Sequence, residues 1–214
     1  MHASDRLDVP PHCCPMAKRA DVIGRISRAT LMDFVLHVQL DDISPDIWRV
    51  LKVPSEFTLA QLHRTLQLVF AWQDYHLHDF LVGDRRFEPP GEESDGESTA
   101  VRIGALGLEL GSQFLYRYDF GDGWEHRIIV EAILPAANPA GPRWPSLLGG
   151  ERAGPPEDCG GSGGYEELVA ALARPRSKAG RMHREWVGAA YDPDRFDGWQ
   201  VGRMLTLAAA YGAL

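Results

Sequence analysis

The nine residues Tyr118 to His126, YDFGDGWEH, hold four aromatic or histidine side chains, three acids and two glycines. On one side Phe114 to Phe120 alternates between apolar and polar positions, and on the other Trp124 to Leu134 does the same. Alternation with period two marks strands that bury one face. Gly121-Asp122-Gly123 separates the two runs, and an Asp-Gly pair accepts the positive φ angles of a tight hairpin turn. The stretch is therefore predicted to be the tip of a β-hairpin, which places the chain in an antiparallel sheet.

Outward from the hairpin, Phe34, Leu36, Val38 and Leu40 alternate with Val35, His37 and Gln39, and Ile47 to Val53 is rich in β-branched residues and ends at Pro54. Both runs read as strands, joined by the turn formers Ser44-Pro45-Asp46. Thr58 precedes Gln61 by three residues, a capping box, and Leu59, Leu62, Leu66, Val69 and Phe70 follow at helical spacing, which predicts a helix over 59–71. His76 to Val82 alternates again. Glu88 to Glu97 carries five acids, two prolines and two glycines and reads as a solvated loop, and Val101 to Leu110 favours no element. Asn138 to Gly164 holds eight glycines and five prolines, too many for regular structure, and reads as a long loop. Tyr165, Leu168, Val169 and Leu172 predict a short helix, Glu185 to Ala190 a second, and Asp194 or Asp197 caps a third running toward Ala210. Strands with interspersed helices give an α+β fold: a single domain with a largely antiparallel sheet, helices packed on it and a long Gly/Pro-rich loop.

A chain of 214 residues suits one core of ordinary size. Lys and Arg number 22 against 30 Asp and Glu, a formal charge of -8, and this opposes attraction to phosphate backbones, so nucleic acid is not an expected partner. No apolar run approaches the roughly 20 residues of a membrane helix. The N-terminus has no apolar stretch resembling a signal peptide, so the expected location is cytoplasmic, with no membrane partner. Residues 1–29 mix Pro, His, Cys and charge without periodicity and read as a disordered extension before a domain over 30–210; Met16 offers an alternative start. Cys13 and Cys14 are adjacent and Cys159 stands alone, which does not make a disulfide framework.

Three groupings bear on chemistry. His76 and His78, one residue apart on a predicted strand, place their Cα atoms roughly 6.6 Å apart on one face, close enough to share a divalent metal ion. A further ligand would come from Asp119, Asp122 or His126, since such sites need three or four N, O or S donors. The alternative is that one of these histidines packs against or caps a neighbouring strand while the other is exposed, and His126, sharing a face with Trp124, Ile128 and Val130, reads as a core residue. Cys159 follows Glu157-Asp158, and adjacent carboxylates raise a thiol pKa, which argues against a nucleophile. The glycines after it can present backbone amides to an anion at the start of the Tyr165 helix.

Taken together, several motifs resemble the plasmid pRiA4b ORF-3-like family, whose members are also described as insertion-element passenger proteins. They are Ile47-Trp48-Arg49, Thr58 to His63, Phe70-Ala71-Trp72, His76-Leu77-His78-Asp79-Phe80, Tyr118 to His126, Pro155 to Gly161 with Gly164 to Leu168, and Tyr191-Asp192-Pro193 with Phe196-Asp197. The resemblance covers about Leu31 to Leu207 and implies a single α+β domain, the MM3350-like fold, with no established activity and no catalytic residue to carry over. Many relatives have further cysteines near the Pro-Pro-Glu-Asp-Cys loop, where this chain has Gly154 and Leu147-Leu148. Some relatives are labelled resolvases, but neither a serine nucleophile amid arginines nor a helix-turn-helix is present, since Ser27 with Arg25 and Arg28 falls in the extension.

The resulting expectation is a binding or accessory domain. Tyr118, Asp119, Asp122 and Trp124 of the hairpin, with Glu157, Asp158 and Cys159 of the loop, would hold a protein or small ligand. The alternative is a metal-dependent enzyme whose ligands are His76, His78, His126 and Asp119. Trp48, Trp72 and Trp124 are expected to pack the sheet against the Thr58 helix.

Overall fold

The protein, seen in a computed structural model, is described over residues 31–91 and 97–214. The expected extension at 1–29 and the centre of the acidic loop lie outside these residues. Eight strands form one sheet: β1 (Met32–Leu40), β2 (Trp48–Pro54), β3 (His78–Val82), β4 (Arg85–Glu88), β5 (Glu97–Ser98), β6 (Gln113–Tyr118), β7 (Trp124–Pro135) and β8 (Ser146–Glu151), in the order β5-β4-β3-β6-β7-β1-β2-β8. Every neighbouring pair is antiparallel except β4 and β5. Alternation decides what each strand buries: Phe34, Leu36, Val38 and Leu40 of β1 are buried, while Val35, His37 and Gln39 on the other face are half-buried.

The helices supply the second layer, and they share the core of the inner face through Leu62, Leu66, Tyr165, Leu168, Leu205 and Ala209. They are α1 (Leu59–Phe70), α2 (Gly161–Leu172), α3 (Lys178–Val187) and α4 (Gly198–Ala210). The capping box at α1 is formed in full, with Thr58 Oγ1 accepting from Gln61 N and Gln61 Oε1 accepting from Thr58 N. Asp197 caps α4 by accepting from Gln200 N at 2.9 Å.

Four local expectations change. The hairpin turn is a five-residue loop between the paired Tyr118 and Trp124, and its positive φ angles fall at Asp119 (54°) and Gly123 (72°), not at Asp122. The Asp119 carboxylate organises it, accepting from Gly121 N at 3.0 Å and Asp122 N at 3.3 Å. The glycine-rich stretch 138–164 contains β8, because the glycines there make room for neighbours: a Cβ on Gly150 would lie 2.5 Å from the Phe196 ring. The strand expected from His76 begins only at His78. The helix expected at 185–190 is α3, begun earlier by Ser177, whose hydroxyl accepts from Gly180 N.

Arg49 has an unusual place in this fold. Its side chain leaves β2 toward the helical layer, is 1% exposed, and among the described residues pairs with no carboxylate. Instead Nε donates to Val69 O in the last turn of α1 (2.8 Å), one terminal nitrogen to Trp48 O (2.7 Å) and Glu151 O (2.8 Å), and the other to Arg152 O (2.8 Å). Phe70 and Phe196 cover the guanidinium at 4.8 and 4.0 Å. A cation is favoured at the carbonyl end of a helix. Burial lowers its pKa to about 9, which leaves it charged at neutral pH.

Arg49→Met removes donors from four carbonyls, so it should lower unfolding free energy by about 3 kcal/mol or more, read as a shift in urea midpoint. His126 supplies a second test. It is 0% exposed, and burial is the main cause that lowers its pKa from 6.5 to about 3. Between those values the unfolded chain binds a proton that the folded chain refuses, so stability falls with acidification across that window. The slope of unfolding free energy with pH between 6 and 4 should be shallower in His126→Leu by up to about 1.4 kcal/mol per pH unit.

Candidate metal centre

The candidate centre grows from the end of α1. Ala71 closes the helix in the left-handed conformation (φ 63°), its N–H reaching back to Gln67 O and Leu68 O. The next residue, Trp72, donates from Nε1 to Pro155 O at 2.8 Å, tying the helix exit to the segment before α2. The link then passes along the hairpin, where Tyr75 N donates to Tyr118 Oη at 3.1 Å and Asp119 N to Leu77 O at 3.0 Å. Two donors converge on one oxygen of Glu157: Gln73 N at 2.7 Å and Tyr118 Oη at 2.9 Å, both to Oε1. The other oxygen is left for the centre.

His76 occupies the space between these segments. Its Nε2 lies 3.1 Å from Asp158 Oδ1, 3.5 Å from Asp119 Oδ2 and 4.0 Å from Glu157 Oε2. Among the described residues neither His76 Nε2 nor Glu157 Oε2 makes a hydrogen bond, although both atoms are buried and His76 Nε2 lies at ion-pair distance from the carboxylates. Burying polar atoms without hydrogen bonds is costly, and these two stand 4.0 Å apart beside two further acids. Donors bound to one metal ion at about 2.0–2.2 Å stand roughly 3–4.3 Å apart, and these separations fall in that range. The donor atoms of His76, Asp119 and Asp158 all lie within 4.8 Å of one another.

A second group, His63, Asp74 and His78, also brings donor atoms within 4.8 Å. Here the rings of His63 and His78 stack at 3.4 Å with planes 5° apart. An imidazole ligates through a lone pair in its ring plane, and two parallel planes at that spacing cannot both contain one ion. Both nitrogens of His63 are already engaged, Nδ1 with Tyr116 Oη and Nε2 with Asp74 Oδ1, each at 2.8 Å. This group is a buried polar network. Burial lowers the pKa of His78 to about 3 and lowers that of His63, the latter opposed by Asp74.

The expected set of His76, His78 and His126 is thus not brought together. His76 precedes β3, His78 turns inward onto α1, and His126 is enclosed with Phe70 and Trp72, at centroid distances of 4.7 and 5.1 Å. His76 and Asp119 do meet, and the partners that join them are Glu157 and Asp158, grouped on sequence grounds with Cys159 instead. Asp122 turns away from His76. Its Oδ2 accepts from Gly160 N at 3.0 Å, so the start of α2 is met by the chain's own carboxylate rather than left to an outside anion. Cys159 is half-buried, and burial, with Asp122 next, pushes its thiol up to about 12, which does not suit a nucleophile. Trp124 is buried beside Trp72, ring centroids 6.1 Å apart, and serves the core. Tyr118 stacks on Trp72 at 4.9 Å, and its contribution is to hold Glu157.

The centre opens to solvent on one side, where the side chain of Asp158 is 68% exposed and that of His76 27%. A cleft of about 360 Å³ lined by Phe70, Tyr191, Phe196 and Met204 does not include it. Among the described residues no helix is long and apolar enough to cross a membrane.

Comparison with known proteins agrees with this architecture. The family profile described as "Plasmid pRiA4b ORF-3-like protein" matches residues 32–199. The uncharacterized protein y4hQ of Sinorhizobium fredii is 40% identical over 162 residues, spanning 73% of this chain and 82% of that one. The crystal structure of MM3350 from Methanosarcina mazei Go1, a protein of unknown function, superposes with a TM-score of 0.72 at 31% identity, covering 79% of this chain and 97% of that one.

Removing the Tyr118 hydroxyl leaves Tyr75 N without its acceptor and Glu157 with one donor fewer. Tyr118→Phe should cost about 1–3 kcal/mol in thermal or urea unfolding, with the far-ultraviolet circular dichroism of the native state unchanged.

Proposed function

The chain belongs to the plasmid pRiA4b ORF-3-like family, and we propose that in this member His76, Asp119, Glu157 and Asp158 hold a divalent metal ion. The observation that carries the reading is the meeting of donor atoms from His76, Asp119 and Asp158 within 4.8 Å of one another, with the buried Glu157 Oε2, which makes no hydrogen bond, 4.0 Å from His76 Nε2. Charge supports it. Three carboxylates gather around one imidazole, and no Lys or Arg ion pair neutralises any of them among the described residues. Such a group is stable when a cation joins it. One nitrogen and three oxygen donors suit manganese or iron(II) better than a thiolate-loving ion, and fewer than six protein donors leave positions open.

In this reading the protein is a metal-binding domain whose centre joins three separate segments: the α1–β3 link, the hairpin loop and the stretch before α2. Tyr118 and Gln73 act outside the ligand set, fixing Glu157 so that one oxygen faces the ion, as outer-shell partners of metal ligands do.

The test is metal content by elemental mass spectrometry on as-purified and manganese-reconstituted protein. About one equivalent is expected in wild type, little in His76→Ala or Glu157→Gln, and a 10- to 100-fold weaker affinity in Tyr118→Phe. His78→Ala should retain the metal. Loss in His78→Ala with retention in His76→Ala would overturn the assignment, as would metal-free wild type after reconstitution.

A further inference from the structure

Resting on that metal reading, we infer that the open side of the centre takes a neutral nitrogen or oxygen donor carrying an apolar or aromatic body, and excludes anionic ligands such as phosphate esters. The first argument is charge. Asp119, Glu157 and Asp158 contribute a formal charge of -3, so a divalent ion leaves about -1 on the centre before any outside ligand arrives. Asp122, one residue from Gly123 in the same loop, adds a further acid, and it accepts from Gly160 N rather than from a cation. Arg117, two residues before Asp119 on the hairpin, is bound through Nε and Nη2 to the fully buried Asp79 and lies against the Phe120 ring, so its charge is already committed. Among the described residues no Lys or Arg pairs with these three carboxylates, so an incoming phosphate would meet like charge, whereas sites that take phosphoryl groups supply Lys, Arg or helix amides. Here the amide at the start of α2 is already taken by Asp122.

The second argument is the rim. Tyr75 and Leu77, which flank His76 in the chain, are 67% and 70% exposed, and their backbones are tied to the centre's own segments, Tyr75 N to Tyr118 Oη and Leu77 O to Asp119 N, while Phe120 lies instead against the Arg117 guanidinium. Two large side chains held in water on the link that carries His76 offer area to a ligand's body rather than to the core. Tyr75 is also positioned, its hydroxyl donating to Gln73 Oε1 at 2.8 Å next to the Glu157 contact. A neutral donor therefore gains metal coordination at one end and apolar contact at the other.

The probes are imidazole, 4-phenylimidazole and inorganic phosphate, added to manganese-loaded protein and followed by electron paramagnetic resonance and water-proton relaxation. Metal content is measured before any probe is added, so absence of bound manganese identifies failure of the metal reading itself, with which this inference falls. With metal present, imidazole should displace bound water, 4-phenylimidazole should bind about tenfold tighter, and phosphate should have no effect at about tenfold higher concentration. Tyr75→Ala with Leu77→Ala should erase the phenyl advantage and leave imidazole binding unchanged. Asp122→Asn, which keeps the oxygen acceptor for Gly160 N, should make phosphate binding measurable. Phosphate binding as tight as imidazole in wild type, an unaltered phenyl advantage in the rim variant, or no displacement by either imidazole would each overturn the proposal.

Discussion

A single buried cation, Arg49, ties together the two lengths of chain on which the candidate centre depends. Its Nε holds the last turn of α1, from which the chain leaves toward Trp72 and His76, and its terminal nitrogens hold Glu151 and Arg152, from which the chain leaves toward Glu157 and Asp158. Carbonyls, rather than a carboxylate, receive the charge. Each bond is therefore directional and short of full neutralisation, and the geometry behind the centre is specified by a rigid planar fork that lysine cannot reproduce. Trp72, bonded to Pro155 O, repeats the connection one layer closer to the ligands.

The interior beside this anchor is more polar than a sheet-and-helix core usually is. Tyr116, fully buried, accepts from Gln67 Nε2 at 3.0 Å and meets His63 Nδ1 at 2.8 Å, while Asp74 N donates to Gln67 Oε1 at 2.9 Å. The chain from Tyr116 through His63 and Gln67 to Asp74 fixes the link after α1 from within, just as Tyr118 fixes it from the hairpin. Networks of this kind specify one arrangement because a partly made network is worse than none. The left-handed residues Ala71 and Asp74, at φ 63° and 58°, lie at the start and the middle of that link, and the second is held there by its bonds to Gln67 and His63.

Much of the fold was legible because period and punctuation agree. The Thr58-Gln61 box, the alternation of β1 and the two runs of the hairpin all state locally what the tertiary structure needs, and the family motifs follow the same order. What was illegible depended on neighbours remote in sequence. Gly149 and Gly150 read as loop formers, yet they lie in a strand, where Phe196 and Arg49 occupy the space in which a side chain on Gly150 would stand. His76 and His78 read as one face of a strand, but pairing starts only at His78, and the two rings part company at that boundary. Adjacent acids at Glu157 and Asp158 were visible, while their approach to His76 was not, since it requires the Trp72 bridge and the Tyr118 hydroxyl. Asp122 and Gly123 looked like a two-residue turn, and the carboxylate of Asp119 made a longer loop the better solution.

The two ends of the sheet carry a consequence of their own. Among the described residues one border is β5, two residues long; the other is β8, which meets β2 with a shift in register between Val50 and Leu51 and has Gly150 under Phe196. Strand borders are where identical chains pair and extend into fibres, and they are kept harmless when they are short, bent or covered. An eight-stranded sheet with a nine-residue and a twelve-residue strand near its middle would otherwise be a template for such growth. By placing its two longest strands inside and, among the described residues, a two-residue strand at one border and a register-shifted, glycine-containing strand at the other, this architecture limits assembly by backbone addition.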